Sequence, residues 1–175
     1  MTLWVFGYGS LLWNPGFEVI EQVPARLQGY RRSFCMRSIH HRGSESDPGL
    51  VLALDAEEGS ACDGLALAAS ADQADAVLAY LRERELVSAA YLERLVPLSL
   101  ADGREITALA YVIDPDHVQY CLLDLEEQAR IIARAVGGRG PNTEYLYNTA
   151  AHLEELGIPD AELQWLDRRV RELTA

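Results

Sequence analysis

Leu92–Ile113 reads LERLVPLSLADGREITALAYVI. Two apolar runs, Leu92 to Leu100 and Glu105 to Ile113, are joined there by Ala101-Asp102-Gly103-Arg104. Asp-Gly tolerates the positive φ that a tight turn needs, so the stretch predicts a β-hairpin. Upstream the same grammar recurs: short apolar or alternating segments between Gly, Pro and Asp place strands at Leu3 to Tyr8, Arg31 to Ile39, Leu50 to Leu54 and Cys62 to Ala68. One helix interrupts this half. It is predicted to start at Ser70, whose hydroxyl caps the first turn while Gln73 completes a capping box, and to run to about Arg84.

From about Asp124 the character changes to three helical patterns. The first is predicted to end at Gly137, and the second to run from about Thr143 to Leu156 and stop at Gly157, since glycine is favoured just past a helix end. The third spaces Leu163, Leu166, Val170 and Leu173 by three and four residues, which turns one apolar stripe toward a core. Helices covering a sheet make an α+β fold. With no internal repeat and no linker-like tract, residues 1–175 are expected to form a single domain.

Composition narrows the function. The chain has 175 residues, a formal net charge of −12 and a pI of about 4.7, so nucleic acid and anionic membrane surfaces are set aside as partners. All 15 basic residues are arginines, which excludes Schiff-base chemistry and a P-loop lysine. Cys35, Cys62 and Cys121 are odd in number and far apart, as expected of reduced, buried thiols in a cytoplasmic protein. No signal-peptide pattern and no apolar run near the ~20 residues of a membrane span occurs. His40, His41, His117 and His152 match no familiar metal-ligand spacing, so no metal is expected.

Four segments could carry chemistry. In Val5–Phe17, VFGYGSLLWNPGF, a strand runs into Gly7-Tyr8-Gly9-Ser10. Such a turn either presents backbone N–H groups to a carboxylate or oxyanion, or merely exits the strand. It is not a dinucleotide fingerprint, because Leu12 stands at the third glycine position, nor a serine-hydrolase elbow, because Tyr8 and Leu12 flank Ser10 where glycines are required. In Tyr80–Tyr91, Glu85 sits at a helix C-terminus, where the macrodipole disfavours a carboxylate. Turned into an apolar cleft beside Leu86 and Val87 it would gain proton affinity toward the range of a general base; otherwise the run is a solvated face of alternating charge. Arg26, Arg31, Arg32, Arg37 and Arg42 form a basic island that either holds an anionic substrate or pairs with local acids. Gly140–Tyr147 opens a helix with two tyrosines, which capping and core packing explain unless a cleft lies beside it.

Taken in order, these segments resemble the ChaC-like γ-glutamylcyclotransferase family. VFGYGSLLWNPGF resembles its N-terminal signature, Gly29-Tyr30-Arg31-Arg32 through Ser38-Ile39-His40-His41-Arg42-Gly43 its second block, and Pro48-Gly49-Leu50-Val51-Leu52 its third. Arg84-Glu85 followed by Tyr91 resembles the catalytic block, and Asn142-Thr143-Glu144-Tyr145-Leu146 the C-terminal end. The resemblance implies a small β-barrel wrapped by helices, with a cleft beside the Tyr8–Leu11 loop. It implies a small-molecule substrate, glutathione in this branch, converted to 5-oxoproline and cysteinylglycine without a cofactor. Glu85 would be the general acid/base. Gly7, Tyr8, Gly9, Ser10 and Leu11 would hold the γ-glutamyl end, with Arg42 and Tyr145 on the substrate's other polar groups, and Glu83 would be solvated. Two departures stand out: Ala89-Ala90 where Gly-Gly is common before Tyr91, and Asp63 before Gly64 where an aromatic or basic residue is usual. Other γ-glutamyl amines or dipeptides as substrates, and a noncatalytic γ-glutamyl-binding module, are the alternatives. The sequence leaves the oligomeric state open.

Overall fold

A computed structural model describes residues 2–86 and 90–175. The chain divides into two compact units, residues 1–33 with 53–118 and residues 34–52 with 119–175.

The first unit is built on the sheet. Strands β1 (Leu3–Gly7), β2 (Glu21–Ser38), β3 (Gly49–Ala69), β4 (Tyr91–Leu100) and β5 (Glu105–Ile113) close a barrel in the order β1-β3-β2-β4-β5. β1 runs antiparallel to β3, pairing Leu3↔Ala69 through Gly7↔Leu65, and parallel to β5 at Val5↔Leu109. The predicted hairpin forms between β4 and β5, in register from Tyr91↔Ile113 to Ser99↔Glu105. Its turn closes through Gly103 N–H to the Leu100 carbonyl (3.0 Å) and Leu100 N–H to the Arg104 carbonyl (2.8 Å), with Gly103 at φ +93°.

Two strands are longer than predicted. Leu50–Leu54 and Cys62–Ala68 are parts of one strand, β3, because the polar residues between them, including Glu57 and Glu58, continue the extended backbone with exposed side chains. β2 begins at Glu21 rather than Arg31: Pro24 and Gly29, which punctuate the sequence like turn residues, lie inside it, and Gly29 takes φ +85°. Helix α1 spans Ala74–Glu85, preceded by a 3-10 turn at Ala71–Gln73. The Ser70–Gln73 capping box does not form. Ser70 makes no side-chain cap, and the Gln73 N–H goes to the Ser70 carbonyl at 3.0 Å. Val5, Phe6, Leu65, Leu67, Leu81 and Leu98 are among the fully or almost fully buried side chains, each worth roughly 1.5–3 kcal/mol of apolar transfer.

The second unit carries α2 (Leu125–Arg134), a two-stranded ribbon of β6 (Val136–Gly137) and β7 (Gly140–Pro141), α3 (Asn142–Glu155) and α4 (Ala161–Thr174). α2 stops at Arg134, short of the predicted Gly137: Ala135 turns extended, and Val136 pairs with Pro141 instead of continuing the helix. Asp124 and Asp160 cap α2 and α4 by accepting from the N–H groups of Glu127 (2.8 Å) and Leu163 (3.1 Å). α3 ends before Gly157, which takes φ +72°. The α4 stripe buries Leu163, Leu166 and Val170, with Leu173 half-buried. Arg169 of α4 grips Glu126 of α2 with both Nε (2.7 Å) and a terminal nitrogen (3.1 Å). Cys35, Cys62 and Cys121 are buried and take part in no disulfide among the described residues. Among the described residues no helix is long and apolar enough to cross a membrane.

Candidate active site

In the first unit, β1 ends at the predicted Gly7–Leu11 segment. Gly7 itself stays in the ladder opposite Leu65, and the residue before Leu65 must be Gly64 because a Cβ there would strike the Gly7 carbonyl. Tyr8 then leaves the sheet as a buried residue. Its hydroxyl donates to the Tyr111 carbonyl (3.2 Å), and its own carbonyl accepts from Arg32 Nε at 2.6 Å. Ser10–Leu12 form a 3-10 turn, in which the Leu12 N–H reaches the Gly9 carbonyl (2.9 Å) and the Asn14 N–H the Ser10 carbonyl (2.7 Å). The first N–H groups of such a turn have no partner inside it, which leaves Ser10 and Leu11 as its donors toward a ligand.

Arg84 organises this loop. One terminal nitrogen donates to the carbonyls of Asn14 (2.6 Å) and Pro15 (3.1 Å) and to the Tyr80 hydroxyl (3.1 Å); the other donates to Ser10 Oγ at 2.9 Å. A serine oxygen that accepts still has its own proton to give. Gly16, at φ +76°, follows Pro15 where a Cβ would overlap the Tyr80 ring. Arg84 Nε lies 3.5 Å from Glu85 Oε1, so the guanidinium ties the loop directly to the carboxylate. Glu85 is the last residue of α1 and its side chain is only 15% exposed, whereas Glu83 is exposed. Val87 and Ala89 lie outside the described residues, so the predicted contact beside Val87 and the Ala89-Ala90 substitution have no structural counterpart here; Ala90 is buried.

A second pair stands next to the first. Arg82, one turn before Glu85 on α1, holds Glu93 of β4 with two 3.0 Å bonds, and Glu93 accepts the Tyr111 hydroxyl at 2.9 Å. Arg82 holds the Glu93 carboxyl below the usual carboxylate range, against the opposing effect of burial. Burial first, then the Glu93 carboxylate and the charge of Glu85, push the Tyr111 phenol far above its ordinary value, so it stays protonated. Elsewhere in this unit Asp63 pairs with Arg26 through two bonds (2.7 and 3.1 Å), which lowers its carboxyl. The unusual residue before Gly64 is therefore an ion-pair partner, and Arg26 belongs to that pair rather than to a shared anion site.

Arg42 and Tyr145 belong to the second unit, and they meet one another, with the guanidinium 5.7 Å from the ring centroid. Both are engaged at the start of α3. Arg42 donates to the Pro141 carbonyl (3.1 Å) and lies 3.7 Å from Glu144, and the Tyr145 hydroxyl accepts the Leu52 N–H at 3.1 Å. Asn142 is wholly buried and clamps Leu50 in both directions, accepting its N–H and donating to its carbonyl at 2.8 Å each.

Arg82, Glu93 and Tyr111 stand outside the site residues expected from the sequence, and Arg84 entered only within the Arg84-Glu85 block. A signal for two of them was present: once the 101–104 turn is placed, the hairpin register sets Glu93 directly opposite Tyr111.

Comparison with known proteins follows the same outline. A family model described as "ChaC-like protein" matches residues 3–173. The glutathione-specific γ-glutamylcyclotransferase of Escherichia coli K12 is 37% identical, over 99% of this chain and 74% of that protein. γ-Glutamylcyclotransferase 2-3 of Arabidopsis thaliana is 34% identical, over 99% and 90%. The crystal structure of a γ-glutamylcyclotransferase specific to glutathione from yeast matches with a TM-score of 0.88 at 22% identity, over 98% of this chain and 96% of that one, a likeness of fold.

Proposed function

The chain belongs to the ChaC-like family, and from that premise we propose that it is a glutathione-specific γ-glutamylcyclotransferase working in the cytoplasm with Glu85 as its general acid/base. The observation that carries this reading is the enclosed Glu85 carboxylate, tied through Arg84 to Ser10 of the Gly7–Leu11 loop. The buried Cys35, Cys62 and Cys121, outside any disulfide among the described residues, fit a reducing compartment.

The reaction is an internal transamidation. The substrate's α-ammonium gives a proton to Glu85, and the freed amine attacks the γ-carbonyl. The tetrahedral oxyanion takes hydrogen bonds from the Ser10 hydroxyl and the backbone N–H groups of Ser10 and Leu11. Collapse breaks the bond to the cysteinyl nitrogen, which receives the proton back from Glu85; the ring nitrogen, still carrying the second proton it must lose, then passes that proton through Glu85 to the same cysteinyl amine, leaving a neutral lactam and an ammonium. The products are 5-oxoproline and cysteinylglycine, and atoms and charge balance without a co-reactant. Holding amine and carbonyl in near-attack geometry supplies much of the rate, and Arg84 contributes by fixing the loop relative to the base.

The test is to incubate the protein with glutathione and follow both products by mass spectrometry, with Glu85→Gln in parallel. Both products from the parent and a fall in the variant of roughly 10²–10⁴-fold, the usual contribution of a general acid/base, are expected. A folded Glu85→Gln protein with undiminished turnover would overturn the assignment. Products from other γ-glutamyl amines or dipeptides but not from glutathione would move the substrate, and saturable glutathione binding without product would make the chain a binding module.

A further inference from the structure

Arg82 and Glu85 lie three residues apart on α1, so they share a face at its last turn. Arg82 grips Glu93 with both ends of its guanidinium, and Glu93 takes the proton of the Tyr111 hydroxyl. The Tyr111 phenol is thereby brought beside the helix turn that carries Glu85. The backbone of Tyr111 also anchors the loop, because its carbonyl accepts the Tyr8 hydroxyl. Tyr111 is 2% exposed, and its phenol takes no part in the steps assigned to Glu85 and the Gly7–Leu11 loop.

A phenol has one proton and two lone pairs. When the proton is committed to a carboxylate that an arginine keeps ionised, the rest of the oxygen can only accept. An ammonium has three protons to donate, and a single carboxylate does not satisfy them all. Resting on the reaction assigned above, we propose that Arg82 and Glu93 are positioning residues that lock the Tyr111 hydroxyl toward Glu93, so that its oxygen accepts a hydrogen bond from the substrate's α-ammonium beside Glu85. Tyr111 is then the residue that tells a γ-glutamyl group from a glutaryl group, which has the same chain without the amine.

In Glu93→Gln an amide N–H can face the phenol oxygen and reverse the hydroxyl; in Tyr111→Phe the acceptor is gone. Each is expected to raise KM for glutathione about tenfold, the effect of one charge-assisted hydrogen bond, with kcat within about threefold. The double variant is expected to be no worse than Tyr111→Phe alone, because Glu93 acts only through the phenol. Arg82→Gln, on an exposed side chain, is expected to raise KM in the same way at unchanged Tm, which keeps the test decisive if Glu93→Gln fails to fold. Calorimetry in the Glu85→Gln background supplies a readout without turnover: that protein should bind glutathione more tightly than glutaryl-cysteinylglycine, and adding Glu93→Gln should erase the difference. Additive KM effects, or a preference for the amine that survives Glu93→Gln, would overturn the proposal. A parent that releases no 5-oxoproline defeats the reaction assigned above, and the calorimetric comparison still decides the amine site.

Discussion

The end of α1 and the start of α3 are built from the same three residue types. Arg84, Tyr80 and Glu85 meet at the first, and Arg42, Tyr145 and Glu144 at the second. Both arginine side chains are enclosed, and both arginines tie down backbone carbonyls. The acids differ: Glu85 is 15% exposed and Glu144 is 53% exposed. Their helix ends differ as well. Glu144 lies in the first turn of α3, where the dipole favours a carboxylate, and Glu85 closes α1, where it does not, by roughly 0.3–1 kcal/mol in each case. An acid that is solvated at a favourable helix end has an adequate structural explanation. One that is enclosed at an unfavourable end does not, and that mismatch is the structural ground for proposing Glu85 as the general acid/base.

The sharpest break of this comparison is to neutralise both acids. Glu85→Gln is expected to lower turnover by roughly 10²–10⁴-fold, while Glu144→Gln is expected to leave it within about threefold, both read as 5-oxoproline release. Equal losses would erase the distinction. The arginine side comes next. Arg84→Lys keeps the charge but loses the fork that spans Ser10, Asn14, Pro15 and Tyr80, so kcat/KM should fall by roughly 10–100-fold, two or three hydrogen bonds' worth of positioning. The second cluster should fail in stability first. Asn142→Ala strands the N–H and carbonyl of Leu50, a cost of about 3 kcal/mol, and a thermal scan should show Tm lower by roughly 6–12 °C in a chain of this size.

The smallest effect lies outside both clusters. Arg26 holds the Asp63 carboxyl below its ordinary 3.8, so the pair stabilises the fold above that pH and loses its effect as pH falls further through the lowered value. Asp63→Asn should therefore give a slightly lower Tm at pH 7, and the difference from the parent should vanish on acidification below 3.8. A difference that persists in acid would show that Asp63 contributes by packing instead.

Legibility followed the range of the interaction. The β4–β5 hairpin was readable because Asp102-Gly103 specifies its turn locally, and its register then placed Glu93 against Tyr111. The helix stop at Gly157 was equally local. The full lengths of β2 and β3 were not readable, since exposed Glu57 and Glu58 resemble a loop until a partner strand satisfies their backbone. The early end of α2 was hidden for the same reason: Ala135-Val136 favours helix by itself, and the pairing of Val136 with Pro141 decides otherwise. In the site, the Gly7–Leu11 loop and Glu85 were marked by composition, dipole position and resemblance. Arg84 as the link between them was not, because its bond to Ser10 spans 74 residues.

The amino-acid sequence alone determined the α+β class, the net charge of −12, the absence of lysine and the ordered blocks of the family, because each depends on residue type and near spacing. The tertiary structure alone decided which of Glu83, Glu85 and Glu144 is enclosed, that Tyr145 and Asn142 are committed to the backbone of β3, and that Tyr111 joins Glu93 and Arg82. Burial and hydrogen-bond partnership are properties of the neighbours that folding supplies, and those neighbours lie too far along the chain for any local pattern to name them.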